Sequence, residues 1–315
     1  MLSCSLTRAS VRLAGGSSIC IILQVALITG ANKGIGFEAV RLLAEQQPDT
    51  IIYLCSRTQA NGDAALQKLP EAARKNVRVL LLDCTDDASV KAAVERVKGE
   101  QGKLDILINN AAIAHVAFTY DIAKATLETN LYGAYRVIES FLPLIPAHTG
   151  HISIVSSGVG TWSHFYAPAA LQQQLEDPAV QWSTIDSIAQ AYLAAAQHPQ
   201  QAGIEAFPDL VKSHGSYPFS KCLVNTYARA LGRDLKPKGI PVLLSCPGYC
   251  ATDLNNHKGT RSAAQGGASV LMVLQRGVAD SGKLFQDDKD SGLKNDVPEA
   301  FKVPSAAAAA AVAQR

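Results

Sequence analysis

Val25–Gly36 reads VALITGANKGIG, a short apolar run that passes through three glycines into a segment where Ile35, Ala39, Leu42 and Leu43 recur at helical spacing. A strand that enters an amphipathic helix through a glycine turn is built to receive a pyrophosphate. Gly30 permits the sharp turn. Gly34 and Gly36 let the backbone approach phosphate groups at the positive end of the helix, with Asn32, Lys33 and Ile35 completing the loop. The spacing is GxxxGxG rather than the commoner GxGxxG, so the strand before it and the helix after it carry the reading.

The same alternation continues along the chain. Ile51–Cys55, Val77–Leu82, Ile106–Ile108, His151–Val155 and Val242–Ser245 read as further strands, and Val90, Ala93, Val94 and Val97 mark a second amphipathic helix. Continuous apolar strands separated by helices imply parallel strands covered on both faces, joined by right-handed crossovers. The expectation is an α/β fold with a single doubly wound parallel sheet of Rossmann type, whose ligands sit at the carboxyl ends of the strands. Residues 158–216 interrupt the rhythm. They hold both tryptophans, Trp162 and Trp182, and a helix with Ile185, Ile188, Ala189, Tyr192 and Leu193 on one face. They read as a helical excursion within one domain of residues 25–303. Residues 1–24 form an N-terminal extension, and the Ala-rich residues 304–315 a tail too poor in large apolar groups to anchor itself.

Of the 315 residues 48% are hydrophobic and 18% charged, which provides a sizeable core and excludes an intrinsically disordered chain. The net charge of +2, with no massed basic segment, argues against nucleic acid as a partner. The seven cysteines contain no CxxC pair, which points to reduced thiols in an intracellular protein and to no metal site. The expected compartment is cytoplasmic. A mitochondrial one is the alternative, because Arg8, Arg12 and five serines precede any acidic residue. The apolar run Ile19–Ile28 is too short for a membrane span and reads as a strand.

The choice of nicotinamide cofactor is legible at the end of the second strand. Ser56 and Arg57 stand where a carboxylate would bind a ribose hydroxyl, and Arg57 with Lys33 suits a 2′-phosphate, so NADP is expected. Asp83, ending the third strand, suits the adenine edge or else caps the following helix. Tyr217 and Lys221 form YxxxK, with both side chains on one helical face. An ammonium beside a phenol favours the phenolate, and the pair can pass a proton to a carbonyl oxygen. Tyr120 and Lys124 share that spacing. Only Tyr217 follows the strand that ends in Ser156 and Ser157, so Tyr217 is the expected functional tyrosine.

Together, TGANKGIG at Thr29–Gly36, Asp83, NNAA at Asn109–Ala112, Asn130 within ETNLYG, Ser157, YPFSK at Tyr217–Lys221 and PGYCATD at Pro247–Asp253 resemble the short-chain dehydrogenase/reductase family over about Val25 to Gln286. The long connection before Tyr217 is similar to its monomeric carbonyl reductase branch. The resemblance implies that Asn109 lines the cofactor, that Asn130 holds a water for a proton relay to Lys221, and that Cys250 to Thr252 touch the nicotinamide end. It departs at Ala112, where the family carries glycine; a positive φ there would make alanine costly.

The expected function is therefore hydride transfer from NADPH to a ketone, aldehyde or quinone. Ser157 orients the carbonyl, Tyr217 protonates it, Lys221 lowers the tyrosine pKa and holds the ribose, and Asn130 completes the relay. An oxidative alcohol dehydrogenase or a catalytically silent NADPH-binding scaffold are the alternatives. Trp162, Phe165, Tyr166 and Trp182 read as an apolar pocket wall or as core of the excursion. Cys246 reads as a buried structural cysteine, and the chain as a monomer whose excursion covers its own helices.

Overall fold

Within the strand Val25–Ile28 (β3), Val25 and Leu27 enter one hydrophobic layer while Ala26 and Ile28 enter the other, as alternation along a strand buried on both faces requires. The structure, a computed structural model, describes residues 8–12, 18–22, 24–115, 117–198, 207 and 215–296, with backbone alone for 8–12 and 18–22. After β3 come Gly34–Gln46 (α1), Ile51–Ser56 (β4), Gln59–Lys68 (α2), Glu71–Arg74 (α3), Val77–Leu81 (β5), Asp87–Gln101 (α4) and Ile106–Asn109 (β6). Then follow Tyr120–Leu127 (α5), a π turn at Glu128–Tyr132, Gly133–Phe141 (α6) and His151–Val155 (β7).

The main sheet has eight strands in the order β10-β9-β8-β7-β6-β3-β4-β5, where β8 is Val242–Ser245, β9 Leu284–Gln286 and β10 Lys289–Asp290. Every pairing is parallel except the β9–β10 hairpin. The chain winds outward from β3 to β5, then returns to β6 on the other side of β3. That reversal opens the crevice at the carboxyl ends of β3 and β6. The doubly wound architecture is therefore as the sequence pattern implies. The run Ile19–Ile28, however, is not one strand. Ser18–Ile22 (β2) pairs antiparallel with Arg8–Arg12 (β1) in a separate two-stranded sheet, so part of the N-terminal extension is paired backbone. The tail 304–315 lies outside the described residues. Among the described residues, no helix is long and apolar enough to cross a membrane.

Among its described residues the excursion supplies three helices, Gly158–Phe165 (α7), Ala169–Glu176 (α8) and Trp182–Gln197 (α9), before the long helix Tyr217–Leu235 (α10). α7 lies directly on α10: a Cβ on Gly160 would stand 2.7 Å from the Lys221 backbone carbon, so only glycine permits this approach. α9 packs on α5 and α10 through Ile185, Ile188, Ala189, Tyr192 and Ala196, while Leu193 is only partly buried. Trp182 stacks on Tyr135 of α6 at 3.7 Å between ring centroids and meets Tyr132 and Tyr227 edge-on. It is an anchor of the excursion, and of the two readings offered for it the core one holds.

Candidate active site

The glycine turn is held from below by the segment after β6. The Thr29 hydroxyl donates to Asn109 Oδ1 at 3.1 Å and accepts the backbone N–H groups of Asn110 and Ala111, each at 2.9 Å. Asn110 Nδ2 donates to the carbonyls of Thr29 and Gly30 at 2.8 and 3.3 Å. Gly30 and Gly34 have φ of +60° and +59°, and a Cβ on Gly36 would lie 2.5 Å from Asn110 Nδ2. α1 then begins with no side-chain cap and no acidic residue in its first turn, which leaves its first amides open to an anion. These residues fit a dinucleotide pyrophosphate. Asn109, expected to line the cofactor, is buried with its carbonyl oxygen engaged by Thr29; Asn110 makes the direct contact with the turn. Ala112 is not among the residues of positive φ, so its departure from glycine carries no backbone strain.

At the end of β4, Arg57 is exposed, but Ser56 is buried and its hydroxyl donates to the Thr58 carbonyl at 3.0 Å. That proton shapes the turn into α2. Asp83 accepts from Thr85 in a local turn, and Asp86 caps α4, so the capping alternative for Asp83 falls away. Lys33 forms an exposed ion pair with Asp253 at 2.7 Å. The loop after β8 thus reaches the glycine turn, where the Thr252 methyl lies 3.5 Å from where a Cβ on Gly34 would sit. Cys250 contributes backbone to this loop while its buried thiol donates to the Pro247 carbonyl at 3.2 Å, beside Gly266 of Ala263–Met272 (α11).

Tyr217 opens α10, and Ser157, the residue that precedes α7, stands close enough to its phenol to favour the charged form. One turn on, Lys221 is buried, donates to the Val155 carbonyl at 2.7 Å, and lies 5.7 Å from the centroid of the Tyr217 ring. Another turn on, Asn225 accepts from Ser156. Asn130 sits inside the π turn, a helical irregularity common at functional sites. It exchanges two 2.9 Å hydrogen bonds with the Ile113 backbone and donates to Ser220 Oγ at 3.0 Å, and Ser220 in turn donates to the Tyr217 carbonyl at 2.7 Å. Cys246 is buried beside this group and accepts the Gly158 N–H at 3.3 Å. Burial holds its thiol above the ordinary range, so it stands there uncharged at neutral pH.

Burial also raises the Tyr217 phenol well above its ordinary range, opposed by the neighbouring Ser157 side chain, and lowers Lys221 to about 8. The expectation that Lys221 depresses the phenol is not met in the protein alone. Desolvation is the largest cause of both shifts and penalises each charged form. Tyr120 and Lys124 line a surface cleft of about 380 Å³ with Gln190 and Gln197, and that cleft shares no residue with the Ser157 site.

The structure therefore brings together Ser157, Tyr217, Lys221 and Asn130, and on the cofactor side Gly30, Gly34, Gly36 and Thr252. Asn110, Ser220 and Asn225 escaped the sequence reading. Asn110 adjoins Asn109, and Asn225 continues the four-residue spacing of Tyr217 and Lys221, so both signals were present.

The family model described as short chain dehydrogenase matches residues 24–169. The chain is 32% identical over 257 residues to carbonyl reductase (NADPH) 1 of Bos taurus, covering 79% of this chain and 90% of that protein. It is 28% identical over 313 residues to (+)-neomenthol dehydrogenase of Capsicum annuum, covering 86% of this chain and 94% of that one. The solved structure of salutaridine reductase from Papaver somniferum is similar with a TM-score of 0.74 and 27% identity, covering 84% of this chain and 99% of the other.

Proposed function

The chain belongs to the short chain dehydrogenase family, and we propose that it reduces carbonyl compounds, namely ketones, aldehydes or quinones, with NADPH. The reading rests on one observation: at the carboxyl end of β7 the Tyr217 phenol stands beside Ser157, with the buried Lys221 ammonium 5.7 Å from its ring. A protonated phenol gives a proton, and reduction is the direction that consumes one. The relatives named as NADPH carbonyl reductases support the same direction.

Bound NADPH supplies the hydride. Ser157 and Tyr217 converge on the carbonyl oxygen, Ser157 orienting it and Tyr217 transferring its proton. Lys221 spends one of its three N–H donors on Val155, leaving two for the ribose and for the phenol as its negative charge develops. Asn130 braces the Tyr217 turn through Ser220 and holds the water from which, through Lys221, the Tyr217 phenolate is reprotonated. With NADPH bound, Arg57 and Lys33 would hold the 2′-phosphate, Asp83 the adenine edge and Thr252 the nicotinamide end. The protein acts as a monomer, because α9 occupies the faces of α5 and α10 that a second copy would otherwise cover.

Four outcomes follow. Tyr217→Phe lowers turnover by about 10²-fold or more while NADPH binding, followed by fluorescence, is unchanged. Near-normal turnover in that variant, or its loss in a folded Tyr120→Phe, would refute the assignment. Lys221 is charged below about 8 and neutral above, so kcat for reduction falls as pH rises through about 8; a profile flat across that region counts against a catalytic ammonium. Arg57→Ala raises the KM for NADPH by roughly tenfold and leaves that for NADH almost unchanged, since one charge-assisted bond is lost. Equal effects on both cofactors would make Arg57 a fold residue. Light scattering at micromolar concentration gives the mass of one chain, and a stable dimer would overturn the monomer assignment.

A further inference from the structure

Tyr217 is the first residue of its helix, the position where helices fray because their first amides lack intrahelical acceptors. The local sequence does little to hold it. Gly215 enters in a left-handed conformation, Pro218 has no amide, and Ser216, at the capping position, makes no side-chain cap. Its hydroxyl is used elsewhere. Tyr192 of α9 donates to Ser216 Oγ at 2.8 Å, and both residues are completely buried.

The Tyr192 ring is fixed in turn. Phe118, Phe207 and Phe219 surround it with ring centroids 6.2, 5.3 and 4.5 Å away. Phe219 belongs to the same first turn as Tyr217, so the turn is gripped twice by Tyr192, by its ring and by its hydroxyl. At the far end of that turn Asn130 holds Ser220. The catalytic turn is thus clamped between Ser216 and Ser220, and one jaw belongs to the excursion.

We propose that Tyr192 is a positioning residue: through Ser216 it sets where the Tyr217 phenol stands relative to Ser157, and so couples the excursion to the chemical step. The kinetic part of this proposal rests on the carbonyl-reduction reading. The structural part does not.

A double-mutant comparison separates positioning from mere support. Tyr192→Phe leaves a buried serine hydroxyl unpaired and Ser216→Ala leaves a buried phenol unpaired, whereas the double variant removes both polar groups and recovers most of the stability lost in either single. If the bond only supports the fold, activity recovers with stability. If it positions Tyr217, kcat remains lowered by about fivefold or more in all three variants while the KM for NADPH is unchanged. Deuterium exchange supplies a readout without turnover: amides of residues 219–222 exchange faster in all three variants, and those of 226–235 keep their protection. A double variant with wild-type kcat, or unaltered exchange at 219–222, overturns the proposal. A wild type that reduces no carbonyl with NADPH refutes the earlier reading instead, and the exchange comparison still decides this one.

Discussion

A single hydroxyl, that of Thr29, joins the two halves of the sheet where they part. It donates once and accepts twice, which uses all its hydrogen-bonding capacity, and its three partners are consecutive residues at the end of β6. Asn110 adds two bonds to the carbonyls of Thr29 and Gly30. The crevice opened by strand reversal would otherwise splay, because β3 and β6 stop pairing there while the chain turns sharply on Gly30. With these bonds made, the amides at the start of α1 and the residues at the end of β7 keep a constant separation. Every functional distance across the crevice depends on it.

What could be read from the sequence and what could not divides along physical range. Strands buried on both faces announce themselves as apolar runs, and the glycine turn needs only local backbone chemistry, so β3 to β8 and Gly30, Gly34 and Gly36 were legible. Tyr217 needed one longer step, its order relative to Ser157. Ser216–Tyr192 and Asn130–Ser220 join residues distant in the chain through neutral side chains, and no spacing rule reveals such pairs. Ser56 shows a related limit: a hydroxyl at the end of a strand can face a ligand or close its own turn, and only the backbone path of Thr58 shows which.

The protonation states of the pair likewise depend on the environment that folding creates. In water a neighbouring ammonium lowers a phenol's pKa. Here Lys221 is buried and Tyr217 partly so, and the loss of hydration penalises each charged form. The result is an acid that holds its proton until a partner arrives to share the charge. Gly160 is part of the cause, since without a Cβ it lets α7 close over Lys221 and exclude solvent.

The π turn at Glu128–Tyr132 places one residue more in the α5–α6 rod than a regular helix of that span would hold. Removing that residue would restore regular hydrogen bonding and redirect the side chains of that turn. Asn130 would then lose Ile113 and Ser220 together. The irregularity is therefore a place where this protein gives up some helical stability to keep its geometry, and a sequence optimised for heat resistance alone would be drawn toward erasing it.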